Sequence, residues 1–187
     1  MTDIENNENE QALAPALTRA PVRPDSPTFA ELGVRAETVD ALTAAGIFVV
    51  AAAGNTGPRC GSIADPPAPY PDTFTVGAVG ANGSLADFSS RGPVSGASKP
   101  DVLAPGAAVV SALPGGGYGA LSGTSMAAPH VAGVVALLWS AHPSLVGDVL
   151  NTARILQDST GSPPPDTCGG RAGVVDADAA VRSAGSQ

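Results

Sequence analysis

Residues 123–130 read Gly-Thr-Ser-Met-Ala-Ala-Pro-His and open a long apolar segment that continues to His142. The apolar side chains of this segment fall on every face of a helix; they are Val131, Val134, Val135, Leu137, Leu138 and Trp139. A helix that is apolar all round is typical of a domain interior. The pattern therefore predicts a helix from about Ser125 to His142, buried in the middle of the domain.

Strand patterns lie on both sides of residues 59–72, a loop crowded with proline. Ile47 to Ala53 is apolar without alternation, which is typical of a parallel strand covered on both faces. A second apolar strand is predicted from Phe74 to Val79, and shorter strands are predicted at 101–104 and 107–112.

Helix patterns alternate with these strands. One helix is predicted from Ala36 to Gly46, with Val39, Leu42 and Ala45 on one face. Two more are predicted near the C-terminus, one capped by Ser144 and a short final one capped by Asp176. Strands that alternate with helices predict an α/β fold with a mainly parallel sheet.

Ser125 falls in the first turn of the long predicted helix. Backbone amides there lack intrahelical partners, and the helix dipole favours negative charge. One residue could thus supply both a nucleophile and a donor to an oxyanion. Gly123 would let a substrate backbone approach, and Pro129 removes an amide that would bond back toward Ser125. An isolated Gly-Thr-Ser is more often a simple helix cap, so the motif needs support from elsewhere.

The string at 123–130 resembles the serine signature of the subtilisin-like serine proteases, or subtilases. Three other segments resemble motifs of that family and stand in the family's order: IFVVAAAGNTGP at 47–58, ADFSSRGP at 86–93 and KPDVLAPG at 99–106. The resemblance runs from about Ala36 to Val181. It implies a three-layer α/β domain with a mainly parallel sheet and a buried central helix, of which residues 36–187 form only the later half.

The resemblance also implies roles for individual residues. Ser125 resembles the nucleophile, and Asn55 resembles the residue whose side-chain amide stabilises the oxyanion beside the Ser125 N–H. By itself, an Asn after a Gly at a strand end is more often a turn residue. The implied substrate-binding residues are Ala51, Ala52, Ala53, Gly54, Gly123 and Thr124. The implied reaction is cleavage of peptide or protein substrates through a serine acyl-enzyme, without a cofactor.

A serine hydrolase of this type also needs a histidine base and an aspartate that orients it. The chain has two histidines. His130 would lie about 140° around the helix from Ser125 and about 7.5 Å along it, and His142 much further along, so neither can be the base. The family's Asp-Ser/Thr-Gly and His-Gly-Thr-His motifs are absent from the sequence. We therefore expect an endopeptidase fragment that is inactive alone. The alternative is a non-catalytic peptide-binding protein, or a pseudo-protease complemented by an N-terminal half on another chain.

Charge and composition exclude other functions. The 187 residues carry a net charge of −8, and Lys99 is the single lysine, which argues against binding to nucleic acid or an anionic membrane. The longest apolar runs, such as Val131 to Trp139, are shorter than the roughly 18 residues of a membrane span. Residues 1–35 are predicted to be a flexible acidic, Pro-containing leader. It lacks the features of a signal peptide, so secretion is implied only by the resemblance.

The two cysteines lie in predicted loops. Because the family is mostly secreted, the resemblance suggests a disulfide between Cys60 and Cys168; the alternative is two free thiols in a reducing compartment. No His or Cys stands at metal-ligand spacing, so no metal site is predicted. A structural calcium ion is compatible with the resemblance but cannot be derived from these residues.

Overall fold

The computed structural model describes residues 35–166, 168 and 170–185, so the predicted leader lies almost wholly outside the described residues. The helices are α1 (Ala36–Ala44), α2 (Thr124–Ala141), α3 (Val149–Asp158) and α4 (Ala177–Ala184). The strands are β1 (Val50–Ala52), β2 (Phe74–Val79), β3 (Val102–Pro105), β4 (Val109–Ala112) and β5 (Tyr118–Leu121). A single 3₁₀ turn, Pro143–Leu145, separates α2 from α3 in this part of the chain.

The first three strands form a parallel sheet in the order β1-β2-β3. Val50 pairs with Phe74, and Val76 pairs with Val102. All six residues of β2 are buried, as expected for a central strand. The sheet and its alternation with helices confirm the predicted α/β fold with parallel strands.

Strand β1 is shorter and more exposed than the sequence predicts. Ile47 is 50% exposed, and the ladder begins only at Val50. Ala51 is buried between two half-buried neighbours, so this strand is not covered on both faces. The reason is its position: within the described residues β1 lies at the edge of the sheet, with β2 as its one partner.

The antiparallel hairpin of β4 and β5 stands apart from this sheet. Only β4 is predicted from the sequence, because glycine-rich flanks hide the strand character of β5. The hairpin is well exposed: Val110 is 67% and Tyr118 is 80% accessible.

Helix α2 packs its inner side on the sheet. Val131, Val135 and Leu138 are buried in the core that contains Val76 and Val102. The outer side is open, with Leu137 57% exposed, so the prediction that this helix is buried on every face is wrong. The apolar composition of a helix indicates that its surface can be buried, but it does not show that another element packs on each face.

By length and composition alone, α2 could also cross a bilayer, with a mean hydropathy of 1.3 over its 18 residues. A single such helix is weak evidence, because the core helix of a globular domain passes the same test. The contacts of α2 with the sheet account for its apolar inner side.

The smaller helices correct two further predictions and confirm a third. In α1, Val39 is buried, but Leu42 and Ala45 are exposed, so they do not share a buried face. Helix α3 is capped by Asp148, which accepts a hydrogen bond from the Asn151 amide; Ser144 instead lies in the 3₁₀ turn. The predicted Asp176 cap of α4 is confirmed, since its carboxylate accepts from Ala179 N.

Candidate active site

The start of α2 lies at the carboxyl end of the parallel sheet. Gly123 N donates to the carbonyl of Gly106, which directly follows β3, over 2.8 Å. A Cβ on Gly106 would lie 2.6 Å from the Cβ of Ala78 and 2.9 Å from Gly123 O, so a side chain at this position would push the helix away from the sheet. This close approach brings Ser125 to the sheet edge where α/β folds keep their sites.

Ser125 is exposed in the first turn of α2. The neighbouring amides are used: Thr124 N donates to Asn55 Oδ1, and Met126 N donates to Gly123 O. The Ser125 amide lies between them in the turn that has no intrahelical acceptors. Ser125 is thus an exposed residue whose amide has no acceptor within the helix.

The side chain of Asn55 is oriented by Thr124. Asn55 Oδ1 accepts from Thr124 N at 2.9 Å and from Thr124 Oγ1 at 3.1 Å. A backbone N–H can only donate, so the Asn55 atom on this side is the carbonyl oxygen. The amide nitrogen Nδ2 lies 3.5 Å from the position of a Cβ on Gly123, and Oδ1 lies 3.7 Å from it. The protons on Nδ2 have no hydrogen-bond acceptor among the described residues.

Thr124 is a bridge in this arrangement rather than a side chain open to substrate. It is fully buried, and its hydroxyl accepts from Gly54 N at 3.1 Å while donating to Asn55. The sequence predicts Thr124 among the substrate-binding residues, but a side chain without exposed surface cannot touch a substrate. Its hydroxyl ties the end of β1 to the start of α2.

The predicted pocket residues at 51–54 fall on two faces. Ala51 and Ala53 are buried, and Ala53 packs against Ile63 and Ala68. Ala52 and Gly54 are half-buried. Because side chains alternate along a strand, a substrate can meet the side chain of Ala52 but not those of both buried neighbours. Substrate binding by this segment and by Gly123 stays a prediction.

Neither histidine is bonded to Ser125. His130 Nδ1 lies 2.8 Å from the carbonyl of Met126, and since a carbonyl only accepts, Nδ1 carries the proton. His142, directly after α2, is half-buried, and its Nε2 lies 2.8 Å from Val181 O. Each ring thus has one nitrogen bonded to a main-chain carbonyl, and that neither histidine is the base stays a prediction.

A groove of about 350 Å³ opens beside Ser125. One wall is the exposed strand β4, and the other is the first turns of α2; the lining residues are Val109, Val110, Ser111, Ser125, Met126, Pro129 and His130. A group seated in this groove would lie next to the Ser125 hydroxyl.

The turn that carries Asn55 is followed by a cysteine that is linked covalently to the C-terminal part of the chain. Cys60 and Cys168 form a disulfide, with sulfurs 2.12 Å apart. Beside it, Asp166 accepts from the amides of Cys168 and Gly170 and pairs with buried Arg91 at 3.5 Å. The sequence motif at 86–93 predicts no role for Arg91, because its partner lies 75 residues further along the chain.

A second buried ion pair joins Lys99 and Asp101 at 2.7 Å. Asp101 also accepts from Thr75 N, and Lys99 donates to the carbonyl of Thr73. Burial raises the pKa of the Asp101 carboxyl above its ordinary value, and Lys99 opposes this rise. The pair fastens the start of β3 to the start of β2.

Within the described ranges, no three His, Cys, Asp or Glu side chains are grouped so that they could hold a metal ion.

Comparison with known proteins gives independent evidence about the family of this chain. The sequence family described as the Subtilase family matches residues 12–170, beginning inside the segment predicted as a leader. Subtilisin E of Bacillus subtilis (strain 168) is 51% identical over 107 residues, which are 57% of this chain and 27% of that protein. Alkaline elastase YaB of Bacillus sp. (strain YaB) is 40% identical over 78% of this chain and 36% of its own length. The chain thus spans about a third or less of these curated relatives.

Solved structures agree with these sequence matches. The patellamide maturation protease PatA superimposes with a TM-score of 0.70 at 32% identity, covering 81% of this chain and 56% of that one. A protease of Pseudoalteromonas arctica PAMC 21717 gives a TM-score of 0.68 at 36% identity, covering 80% and 46%.

Proposed function

Because the chain belongs to the subtilase family, we propose that it is the part of a serine endopeptidase domain that carries the nucleophile, Ser125, and the oxyanion hole. The observation that carries the proposal is the pair of hydrogen bonds from Thr124 to Asn55 Oδ1, because it leaves Nδ2 free to donate, and Thr124 is the chain neighbour of Ser125. Two preorganised donors at a developing negative charge supply a large share of the catalysis in acyl transfer. Residues 36–187 form this part of the domain in our proposal, and residues 1–35 a separate leader.

The proposed reaction consumes a peptide bond and a water molecule. Ser125 Oγ attacks the carbonyl carbon of the substrate while its proton passes to a base, and the carbonyl oxygen becomes an oxyanion held by the Ser125 N–H and Asn55 Nδ2. The C–N bond then breaks, and the proton passes from the base to the leaving amine. Water hydrolyses the remaining ester and regenerates the hydroxyl.

We propose that the base and its orienting carboxylate come from outside these 187 residues, because the family's Asp and His motifs are absent from the sequence. The two histidines of the sequence are engaged with the carbonyls of Met126 and Val181. The groove between β4 and α2 is the place beside Ser125 where an imidazole could enter. We propose that a segment carrying His and Asp occupies it, either in the same polypeptide or in a complementing N-terminal half.

The compartment follows from the cysteines. A structural disulfide persists in an oxidising environment. The Cys60–Cys168 bond therefore supports a site of action outside the reducing cytosol for the complete protein.

A second function, peptide binding without catalysis, is favoured by the absence of the family's Asp and His motifs from these 187 residues. The two functions differ in the fate of a peptide substrate when His and Asp are supplied. If the aligned N-terminal part of a subtilisin relative is mixed with this chain, hydrolysis that depends on Ser125 supports the endopeptidase. Binding without hydrolysis supports the second function.

The oxyanion hole can be tested on the chain alone with the peptide boronic acid acetyl-Ala-Ala-boroPhe. Ser125 Oγ bonds to boron and its proton goes to solvent, which leaves a tetrahedral, negatively charged boron. Asn55→Asp keeps the oxygen that Thr124 needs but removes the Nδ2 donor. We expect a boronate dissociation constant raised about 10²-fold, near the low end of the effect of removing this type of donor in subtilisin itself.

Calorimetry of the wild type, Asn55→Asp and Ser125→Ala measures this effect. The control ligand is the same peptide ending in a carboxamide, which has no boron and should bind all three proteins equally. A wild type that binds boronate no better than carboxamide contradicts the proposal.

A further inference from the structure

We propose that Ser90 is the positioning residue of the oxyanion hole, holding the main chain on both sides of Asn55. The inference rests on the proposed function, because a position for Asn55 matters only where Nδ2 meets an anion. Ser90 itself touches no substrate: it is 1% exposed and lies behind the turn.

Three hydrogen bonds place Ser90 around Asn55. Ser90 N donates to the carbonyl of Gly54 at 2.9 Å, on the N-terminal side. On the C-terminal side, Thr56 N donates to Ser90 Oγ at 3.1 Å, and Thr56 Oγ1 shares a further bond of 3.0 Å with the same oxygen. One serine thus binds both chain neighbours of the oxyanion residue.

The turn is also packed directly on this serine. Gly54 has φ +101°, and a Cβ there would lie 2.9 Å from Ser90 Oγ. Gly57 N donates to the carbonyl of Phe88, and a Cβ on Gly57 would lie 2.1 Å from the carbonyl of Ser89. The segment 88–90 therefore packs directly against the turn and leaves no space for the turn to move toward it.

Two residues, Thr124 and Ser90, position different parts of Asn55. Thr124 fixes which way its side-chain amide points, but the distance of Nδ2 from Ser125 depends on where the backbone of the turn stands. Ser90 supplies the side-chain contact to that backbone at Thr56. A displacement of a fraction of an ångström there moves Nδ2 relative to the anion, and misplacements of this size are costly in catalysis.

Ser89 provides a matched control. It is equally buried and also accepts one backbone hydrogen bond, from Ala78 N at 3.0 Å. That bond goes to strand β2 instead of the turn. Removing the Ser89 hydroxyl leaves the buried Ala78 amide without its acceptor, and removing the Ser90 hydroxyl leaves the part-buried Thr56 amide and the Thr56 hydroxyl without theirs. Ser89→Ala should therefore destabilise the fold at least as much as Ser90→Ala.

The experiment compares wild type, Ser90→Ala and Ser89→Ala by two readouts. The first is the dissociation constant of acetyl-Ala-Ala-boroPhe relative to the matching carboxamide. We expect Ser90→Ala to raise the boronate constant about tenfold and to leave the carboxamide constant unchanged. Ser89→Ala should change neither. The second readout is hydrogen exchange, which should accelerate at the Thr56 amide in Ser90→Ala and stay slow in Ser89→Ala.

Each outcome has a distinct meaning. If wild type favours boronate and Ser90→Ala does so equally, the positioning role of Ser90 is overturned while the oxyanion hole stands. If wild type shows no preference for boronate, the proposed function is overturned, and this inference falls with it. If Ser90→Ala and Ser89→Ala lose boronate affinity equally, Ser90 contributes only to general stability, and the inference is overturned.

A second variant covers the case in which Ser90→Ala does not fold. Thr56 is exposed, so Thr56→Val is tolerated more easily. It removes one of the two bonds to Ser90 Oγ and also the bond from Thr56 Oγ1 to the carbonyl of Ser62. We expect a smaller loss of boronate affinity in the same direction. Unchanged boronate affinity in Thr56→Val contradicts the inference.

Discussion

At the scale of single residues, the oxygen and the nitrogen of the Asn55 side-chain amide have separate roles. Asn55 Oδ1 accepts both hydrogen bonds from Thr124, so Nδ2 is the end of the amide that remains able to donate. The motif at 47–58 indicates Asn55 as an oxyanion residue, but no sequence pattern indicates which atoms hold it. Those partners lie 69 residues away along the chain and are brought together only by the approach of α2 to the sheet.

The hydroxyl of Thr124 gives the first prediction at this scale. In Thr124→Val, the Gly54 amide loses its acceptor and Asn55 loses one donor, so we expect a loss of about 1–3 kcal/mol in the free energy of unfolding. Thr124→Ser keeps the hydroxyl and should lose less. Urea denaturation measures both variants, and equal losses would contradict the bridging role.

The buried pair of Lys99 and Asp101 gives a prediction about pH. Lys99→Met removes the charge that opposes the raised pKa of Asp101, so that pKa rises further. A raised carboxyl pKa contributes stability below its ordinary value of 3.8 that is lost as the pH rises through the folded-state value. We therefore expect Lys99→Met to cost about 3 kcal/mol at pH 7 and clearly less near pH 4.

Thermal melts of Lys99→Met at several pH values check this prediction. The control is Arg182→Met, which removes an ion pair with Asp178 whose side chains are both 71% exposed. Exposed pairs contribute little, so its stability should be nearly unchanged at either pH. A loss in Lys99→Met that does not vary with pH would show that Asp101 does not titrate as described.

At the scale of elements, burial explains which predictions succeed. Strand β2 has the predicted bounds because both of its faces are covered and its apolar run is uninterrupted. Strand β5 escapes prediction because its pairing with β4 comes from the turn at Gly115–Gly117 instead of from an apolar pattern. The exposure of Leu137 on α2 could not be predicted, since the sequence of a helix does not state what packs on its outer side.

The start of α3 gives a prediction at this scale. Asp148→Ala removes the side-chain acceptor of the Asn151 amide, so we expect a loss of about 1 kcal/mol in unfolding free energy. Ser144→Ala, at the position that the sequence predicts as the cap, should change the stability little. Chemical denaturation measures the free energy of unfolding of both variants. A larger loss in Ser144→Ala than in Asp148→Ala would show that Ser144 is the capping residue.

At the scale of the whole molecule, the disulfide closes a very long loop. Cys60 and Cys168 are 108 residues apart, so the bond joins the turn behind Asn55 to the segment that follows α3. In the chain-entropy description, closing a loop of this length stabilises the folded state by about 4–5 kcal/mol. The sequence alone left open whether these thiols are paired.

Reduction of the wild type and the double variant Cys60→Ser, Cys168→Ser should both lower the melting temperature, by roughly 10 °C or more. Reductant should have no further effect on the double variant, which serves as the control. Thiol titration of the unreduced, denatured protein should find no reactive cysteine. Two reactive thiols in that titration would contradict the bond.

The contact of α2 with Gly106 also has a consequence for the order of the sequence. Because of it, both groups that we propose as donors to the anion, Asn55 and Ser125, lie in one continuous segment of the chain, from β1 to the first turn of α2. The donors proposed for the anion and the base proposed to take the proton are thus carried by different segments of sequence.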